Sequence, residues 1–381
     1  MADSMPTAPT GAAGRHAAPV APDPPAADAS LQEWTAYMLA LQAPACRILG
    51  SDLYAALLTA AADDVRGEGP AWAVLERHAT RDTNTALALR FMAAVHRLVL
   101  QGDAPALAPH FASVGGTAGV DGAWLAMRSL LVQQRDRLGE LVARLCQTNE
   151  VARCAGLVVG FLLAARDSGL PLRVLEIGAS AGLNLRWDRF HYSNHGDDRA
   201  WGDPGSPVQL HGHWDVPRGL LGQQVRVVAR AGCDPQPVEP LSDEGRLSLM
   251  AAVWADQPAR HERLRGALEL ARNEPVHVAK AGAMQWLPQR LAKTAPGVAT
   301  VVVHSVVAQY MEPGERQEFF ALIEDAGQAA TAHAPLYWLR MEPESPLRAM
   351  SLRLTSWPGA TDELLATAGA HGFPVRWRGT R

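Results

Sequence analysis

The sequence predicts an α/β fold, with a mostly parallel sheet and an antiparallel edge, preceded by an all-helical domain. Three observations lead to this prediction. Apolar residues recur at three- and four-residue steps up to about residue 169, which is typical of amphipathic helices. After Leu172, short β-branched runs alternate with helical stretches, which indicates a parallel sheet. The last two runs have no long helix between them, which favours an antiparallel edge.

The composition of the 381 residues is that of a globular protein. Hydrophobic residues make up 48% and charged residues 19%, with a formal net charge of −4. The apolar fraction excludes a wholly disordered chain, and the mild acidity argues against a general nucleic-acid binder. The four cysteines form no C-x-x-C pair, so free thiols are expected. The sequence has no apolar run long enough to span a bilayer, and no signal peptide is recognised. We therefore expect a cytoplasmic protein that binds no membrane.

Composition along the chain predicts three regions and one insertion. Residues 1–29 are mostly Ala, Pro, Thr and Gly, which bury too little apolar surface to offset chain entropy, so we predict a disordered tail. Residues 30–169 form the helical domain, and residues 170–381 form the α/β domain. Within the latter, residues 186–222 are rich in Gly, Pro, Asp, His and Trp, and we expect this insertion to cover a site.

Seven β-branched runs predict the strands of the sheet. They cover residues 173–177, 225–229, 276–279, 300–304, 336–341, 352–356 and 375–377. Helices are predicted at residues 245–253, 258–272, 283–293 and 314–328. Because no strand is predicted before Leu172, residues 173–177 form the first strand.

The first strand continues into the sequence LEIGASAGLNL, residues 175–185, which contains the glycine turn at residues 178–182. Small residues let a ligand approach the backbone, and a helix that follows would offer unpaired N–H groups. The segment resembles the first motif of S-adenosylmethionine-dependent methyltransferases, which is an acid followed by glycines at alternate positions. Glu176, Gly178 and Gly182 match this motif, and Ser180 stands at the middle glycine. A tight strand–helix turn without a ligand is the alternative.

This resemblance implies a Rossmann-like sheet of the methyltransferase type and methyl transfer to a small molecule. S-adenosylmethionine would be held by residues in and beside the glycine turn, which are Glu176, Gly178, Ser180, Gly182 and Asn184. Asp234, after the second strand, would accept hydrogen bonds from the ribose hydroxyls, although Asp-Pro is also ordinary turn chemistry. Gly282 stands where methyltransferases often hold the adenine amino group with a polar side chain, so backbone groups would serve there.

Candidate catalytic residues lie at the end of the fourth strand. His304 closes this strand and Tyr310 follows shortly after, so either could deprotonate or orient the methyl acceptor. A histidine that is only hydrogen-bonded at the edge of the sheet is the alternative for His304.

Four further residues are expected at the substrate pocket. Asn149 and Arg153 belong to a polar cluster that could meet the cofactor or an acidic substrate, with helix capping as the alternative role of the cluster. Trp201 and Asp203 belong to the insertion. The nearby sequence His-x-His, residues 211–213, would place two imidazoles on one strand face, but no spacing fixes a third ligand, and we predict no metal site.

The glycine turn also has the spelling G-x-S-x-G, which is the nucleophile elbow of α/β-hydrolases. Ser180 would then be a nucleophile, with Asp362 or Glu342 and with His371 as its later partners. An elbow follows several earlier strands, whereas this turn follows the first strand, so methyl transfer is preferred. A non-catalytic protein that binds a ligand or partner on a degenerate methyltransferase fold is the second alternative.

Five segments together resemble one bacterial family that is labelled only as a domain of unknown function. They are QTNExxR at 147–153, LEIGASAGLNL at 175–185, WGDP at 201–204, WxDQ at 254–257 and the stretch 304–310. The resemblance extends from about residue 31 to residue 377. It implies membership of that family and no established reaction.

Overall fold

The computed structural model describes residues 22–293, 295–344 and 349–380. Residues 1–21 of the predicted tail lie outside this range, and residues 22–29 form neither helix nor strand. The described chain has an α/β architecture, with a helical region first and a mostly parallel sheet after it. No helix in these ranges is both long and apolar enough to cross a membrane.

The first six helices of the helical region share one core. The helices of this region are α1 (Leu31–Ile48), α2 (Asp52–Arg66), α3 (Pro70–Leu75), α4 (Leu87–Leu100), α5 (Ala123–Gln133), α6 (Arg135–Val142) and α7 (Cys154–Ser168). Ser30 caps α1, and Glu33 completes the capping box. Helices α1 to α6 bury their apolar faces in a common core, whereas α7 packs on the sheet and belongs to its core.

The main sheet has nine strands in the described residues, in the order β5-β12-β11-β10-β9-β8-β1-β6-β7. Their bounds are β1 (Leu172–Ile177), β5 (Trp214–Asp215), β6 (Val227–Asp234), β7 (Val278–Lys280), β8 (Ala299–Ser305), β9 (Leu336–Pro343), β10 (Met350–Trp357), β11 (Thr361–Gly369) and β12 (Gly372–Trp377), while β2 to β4 lie in the insertion. Strands β7, β6, β1, β8 and β9 are parallel, and β9 to β12 form an antiparallel meander.

The strand order reverses at β1. From β1 the chain proceeds to its neighbour β6 and then to β7, and it afterwards returns to β8 on the opposite side of β1. The connecting helices are α8 (Asp243–Ala252), α9 (Pro258–Asn273), α10 (Ala283–Leu291) and α11 (Pro313–Gln328). In open α/β sheets, ligands bind outside the carboxyl ends of the strands at such a reversal.

The antiparallel edge is larger than the sequence predicts, because β11 was not predicted as a strand. Its sequence TDELLATAG has acids and alanines, which have a low intrinsic preference for strands. Main-chain pairing with β10 and β12 holds this strand in the sheet despite that composition.

The insertion packs on α7. It forms the small sheet β3-β2-β4, with β2 (His191–Asn194), β3 (Ala200–Gly202) and β4 (Gln209–Gly212), and its last strand β5 joins the main sheet beside β12. Trp187 stacks on Phe161 of α7 with ring centroids 4.1 Å apart. Trp214 donates a hydrogen bond of 2.8 Å to the carbonyl of Ala155, also in α7. These contacts place the insertion against α7.

Candidate functional site

A cleft of about 440 Å³ lies at the carboxyl ends of β1, β6, β7 and β8. Its volume is in the range of small-molecule sites. The loops after these strands form one side. The other side is the helical wall, which we define as residues 84–90 and 145–153. The cleft therefore lies between the sheet and the helical region, at the reversal of the strand order.

Eight of the twelve predicted site residues line this cleft. They are Asn149, Arg153, Glu176, Gly178, Ser180, Asn184, Asp234 and Tyr310. Gly182, His304, Trp201 and Asp203 do not line it. No residue of the insertion, which is described in full, is among the lining residues, so the insertion does not cover this site.

The glycine turn requires small residues for backbone reasons. Gly178, Ser180 and Gly182 have φ values of +67°, +51° and +67°. Glycine adopts such values without strain, whereas other residues rarely do. A Cβ atom on Gly178 would also lie 2.4 Å from Cγ2 of Val307 in the loop after β8. The two glycines thus allow the turn to pack closely against its neighbours.

Three amide groups of the glycine turn, those of Ala179, Ser180 and Gly182, are already hydrogen-bonded within the protein. The N–H of Ser180 donates to Oδ2 of Asp234 at 3.0 Å, and the N–H of Leu183 donates to Oδ1 of Asn149 at 2.9 Å. The segment that follows is a 3₁₀ helix, Leu183–Arg189, with non-helical angles at Arg186. The prediction that an α-helix with free N–H groups follows the turn is therefore wrong. The turn instead contributes side chains to the cleft.

Four polar side-chain atoms of the cleft lining are buried without a hydrogen-bond partner in the described protein. They are Oε1 of Gln147, Oε2 of Glu176, Oγ of Ser180 and Oδ1 of Asn184. A buried polar group without a partner costs roughly 1–3 kcal/mol. Four such atoms around one cleft indicate a site that a polar ligand completes.

Glu176 is the most strongly perturbed of these groups. Burial, together with the nearby charge of Asp234, raises the pKa of Glu176 to about 8, although Arg153 and Arg186 oppose the shift. The carboxyl group is therefore mostly protonated at pH 7. A cationic ligand beside it would favour the ionised form.

We expect Glu176→Gln to stabilise the free protein increasingly as the pH rises. The pKa of Glu176 is about 8 in the folded protein and about 4.5 in the unfolded chain. The unfolded chain therefore ionises first, and the protein loses stability as the pH rises from 4.5 to 8. The variant removes this loss, and above pH 8 it should gain a few kcal/mol. Urea unfolding at pH 5 and pH 9 measures the difference. Glu269→Gln, an exposed change on α9, is the control and should show no such trend.

Asp234 lies at the end of β6 and has two roles in the free protein. Besides the N–H of Ser180, it accepts hydrogen bonds from the N–H of Gln236 at 2.8 Å and from Nε2 of Gln147 at 3.0 Å. The residue is buried, with 4% of its surface exposed to solvent. Asp234 therefore fixes the glycine turn and also presents a carboxylate to the cleft, beside the side chain of Gln147.

His304 has a structural role. The residue is fully buried, its Nδ1 lies 2.6 Å from Oε1 of Glu342, and its Nε2 accepts a hydrogen bond from the indole of Trp338 at 3.0 Å. Because both ring nitrogens are engaged, neither can take a proton from a substrate. Glu342 also accepts a hydrogen bond from the N–H of Val307. The geometry thus supports the alternative for His304, which fixes the loop after β8 through Glu342.

Trp201 and Asp203 serve the insertion itself. The indole of Trp201 donates to the carbonyl of Gln223 at 3.1 Å and stacks on Trp187. Asp203 accepts a hydrogen bond from the N–H of Gly205 within its own turn. Neither residue lines the cleft, so the structure does not bring them to the other candidate site residues.

The geometry does not favour a catalytic triad at Ser180. No histidine is among the described residues that line the cleft. His371 packs against Trp254, and Asp362 forms ion pairs with Arg340 and Arg353 in the antiparallel edge. The base and acid that an elbow needs are therefore not assembled around this serine.

Beneath the helical wall lies a buried ion pair. Glu150 lines the cleft, and its Oε2 contacts Nε and Nη2 of Arg260 at 2.7 and 2.6 Å. Burial is the largest single effect and opposes ionisation of this acid, but the charge of Arg260 together with those of His371, Arg153 and Arg263 outweighs burial, so the pKa of Glu150 falls to about 2. The pair anchors the helical wall to α9.

Sequence reasoning missed part of the helical wall. Arg90 and residues 84–86 line the cleft, and Gln147, which was noted only within its cluster, contacts Asp234. No local pattern marks residues 84–90 as part of a site, because their approach to β1 depends on the packing of the helical region.

One family model matches the chain over residues 36–377, a range that includes the whole cleft lining. Its description is "Uncharacterized protein conserved in bacteria (DUF2332)". No curated protein and no solved structure matches the chain significantly.

Proposed function

The chain belongs to this bacterial family of uncharacterised proteins, and we propose, from the geometry of the cleft, that it binds S-adenosylmethionine there and transfers the methyl group to a small molecule. The observation that carries the proposal is the set of four buried, unpartnered polar atoms at the carboxyl end of β1. The reversal of the strand order at this point and the acids that end β1 and β6 add support.

The polar lining of the cleft fits this cofactor. Oε1 of Gln147 and Oδ1 of Asn184 are acceptors, and Asp234 adds a carboxylate, so the cleft favours a ligand rich in donors. S-adenosylmethionine carries ribose hydroxyls, two amino groups and a positive sulfonium. Asp234 and Gln147 would hold the ribose hydroxyls. Glu176 and Asn184 would face the sulfonium and the amino group of the methionine part, where ionisation of Glu176 would balance positive charge.

The role of the protein in this reaction is mainly alignment. The bound cofactor supplies an electrophilic methyl group, so the protein must hold the acceptor in line with it and exclude water. Apolar lining residues such as Ile177 and Val307 serve the second purpose. Tyr310, which is 65% exposed beside the cleft, remains the candidate that orients the acceptor or takes its proton.

Thermal unfolding with added nucleosides tests the proposal. We expect S-adenosylmethionine and S-adenosylhomocysteine to raise the unfolding midpoint of the full chain, since a ligand at a hundred times its Kd adds about 2.7 kcal/mol of stability. NAD, whose adenosine is joined to an anionic pyrophosphate instead of a sulfonium, should raise it little. No shift with either adenosyl compound would contradict the proposal.

Ser180→Gly separates methyl transfer from the hydrolase alternative. We expect the variant to retain binding of S-adenosylmethionine, because glycine stands at this position in the methyltransferase motif. It should lose no stability, because Ser180 has a φ of +51° that glycine adopts freely. Ser180→Ala also removes the hydroxyl but keeps a Cβ atom, so it should be less stable than the glycine variant by about 1 kcal/mol. An esterase activity that both substitutions abolish would support the hydrolase instead.

A further inference from the structure

Arg153 is a cation of the cleft lining without an acidic partner. It ends a short 3₁₀ segment, Val151–Arg153, just before α7. Its Nε donates to the carbonyl of Ala370 at 3.3 Å and its Nη1 to the carbonyl of Ser305 at 3.4 Å. Among the residues that the structure describes, no carboxylate forms an ion pair with this guanidinium.

The acids near Arg153 are engaged with other groups or protonated. Glu150 is held by Arg260 and accepts the N–H of Ala152. Glu342 contacts His304, and Glu176 is mostly protonated at pH 7. Arg263 lies near Glu150 as well, and its Nε is buried without a partner. Burial, only partly offset by Glu150, lowers the pKa of Arg153. This guanidinium is therefore partly buried, and no carboxylate of the described residues forms an ion pair with it.

Arg153 and Asp234 lie on opposite sides of β1. Arg153 reaches the carbonyl of Ser305 at the end of β8, whereas Asp234 ends β6. Strands β6 and β8 both pair with β1, and adjacent strands are about 4.8 Å apart. A cofactor whose ribose is held at Asp234 leaves the β8 side of the cleft to a second molecule.

We propose that the methyl acceptor is an anion, a carboxylate or a phosphate, and that Arg153 binds it. This inference rests on the proposed function, because an acceptor presupposes methyl transfer. The planar guanidinium presents paired donors that match the oxygens of either anion. Arg90, on the helical wall, adds a second positive charge to the lining; its Nε donates to the carbonyl of Val142, and it too forms no ion pair within the described residues.

Titration of the full chain with simple anions tests the inference. The probes are benzoate, inorganic phosphate and the neutral benzamide, each added with and without S-adenosylhomocysteine. We expect benzoate or phosphate to bind, and Arg153→Gln to weaken that binding roughly ten- to a hundredfold. The anion that binds identifies the class of acceptor. Arg246→Gln, a change of an exposed arginine on α8, should bind like the native chain.

Three results would overturn the inference. They are binding of benzamide as tight as that of the anion that binds, no binding of either anion, and native anion affinity in Arg153→Gln. A second test compares the binding of S-adenosylhomocysteine with that of methylthioadenosine, which lacks the carboxylate. If Arg153→Gln weakens binding of the first compound only, then Arg153 binds the carboxylate of the cofactor and the acceptor assignment is wrong.

Failure of the proposed function would be recognised separately. If S-adenosylhomocysteine binds neither the native chain nor any variant, methyl transfer and the acceptor assignment fail together. A loss of anion binding in Arg153→Gln, measured without the cofactor, would then still assign an anion site to this residue.

Discussion

Arg260→Ala should destabilise the protein by roughly 3–5 kcal/mol, because it leaves a buried carboxylate without its cation. Arg260 and Glu150 are 7% and 6% exposed, and two nitrogens of the arginine contact the same carboxylate oxygen. Glu150 also lines the cleft, so the variant should disturb the helical wall as well.

Urea unfolding at pH 7 measures this loss. Arg265→Ala removes an exposed arginine from the same helix and should change stability by less than about 0.5 kcal/mol. Removing both partners, in Arg260→Ala with Glu150→Ala, should cost less than Arg260→Ala alone. A loss below about 1 kcal/mol in the single variant would show that the pair does not anchor the wall.

The same pair predicts how stability depends on pH. The pKa of Glu150 is about 2 in the folded protein, below the ordinary value of 4.5, so the unfolded chain binds protons first as the pH falls. The stability that the pair adds is therefore present above about pH 4.5 and lost between pH 4.5 and pH 2. Glu150→Gln should be less sensitive than the native protein over that window.

Asp234→Ala should weaken the binding of S-adenosylmethionine about ten- to a hundredfold, which corresponds to the loss of charge-assisted hydrogen bonds worth roughly 1.5–3 kcal/mol. The structure adds a cost that the sequence does not predict. A turn aspartate should support few contacts, but Asp234 accepts the N–H groups of Ser180 and Gln236. We therefore expect the free variant to lose about 1–3 kcal/mol of stability as well.

Asparagine is a poor substitute at this position. Both carboxylate oxygens of Asp234 accept N–H groups, so the amide of Asp234→Asn must direct its own N–H₂ group at a donor. The variant should lose almost as much stability as Asp234→Ala. Calorimetric titration at a temperature far below unfolding separates binding from folding.

Asp243→Ala is the matched control for both Asp234 variants. Its side chain is exposed at the start of α8, so it should bind S-adenosylmethionine normally. Equal affinity in the Asp234 and Asp243 variants, with stability lost only at Asp234, would reduce Asp234 to a structural residue.

Strands β1 and β8, at the centre of the sheet, could be predicted because burial on both faces leaves continuous apolar runs. Strand β8 is buried along nearly its whole length, and β1 has one partly exposed residue. Strand β11 could not be predicted in this way, since its position depends on its partners β10 and β12 and not on its own residues.

The candidate site could be predicted where its residues are local to one strand end. Glu176, Ser180 and Asn184 lie within nine residues, and all line the cleft. His304 could not be assigned, because Trp338 and Glu342, which occupy its ring nitrogens, are far along the chain. The helical wall could not be predicted either, because only tertiary packing brings Arg90 to the cleft.

The most direct test of whether S-adenosylmethionine binds in the cleft is hydrogen–deuterium exchange of the full chain, measured with and without this cofactor. We predict slower exchange in residues 176–185, 233–236, 281–284 and 146–150, which surround the cleft, and no change in residues 191–215 of the insertion. Unchanged exchange around the cleft at saturating cofactor, or protection confined to the insertion, would contradict the claim.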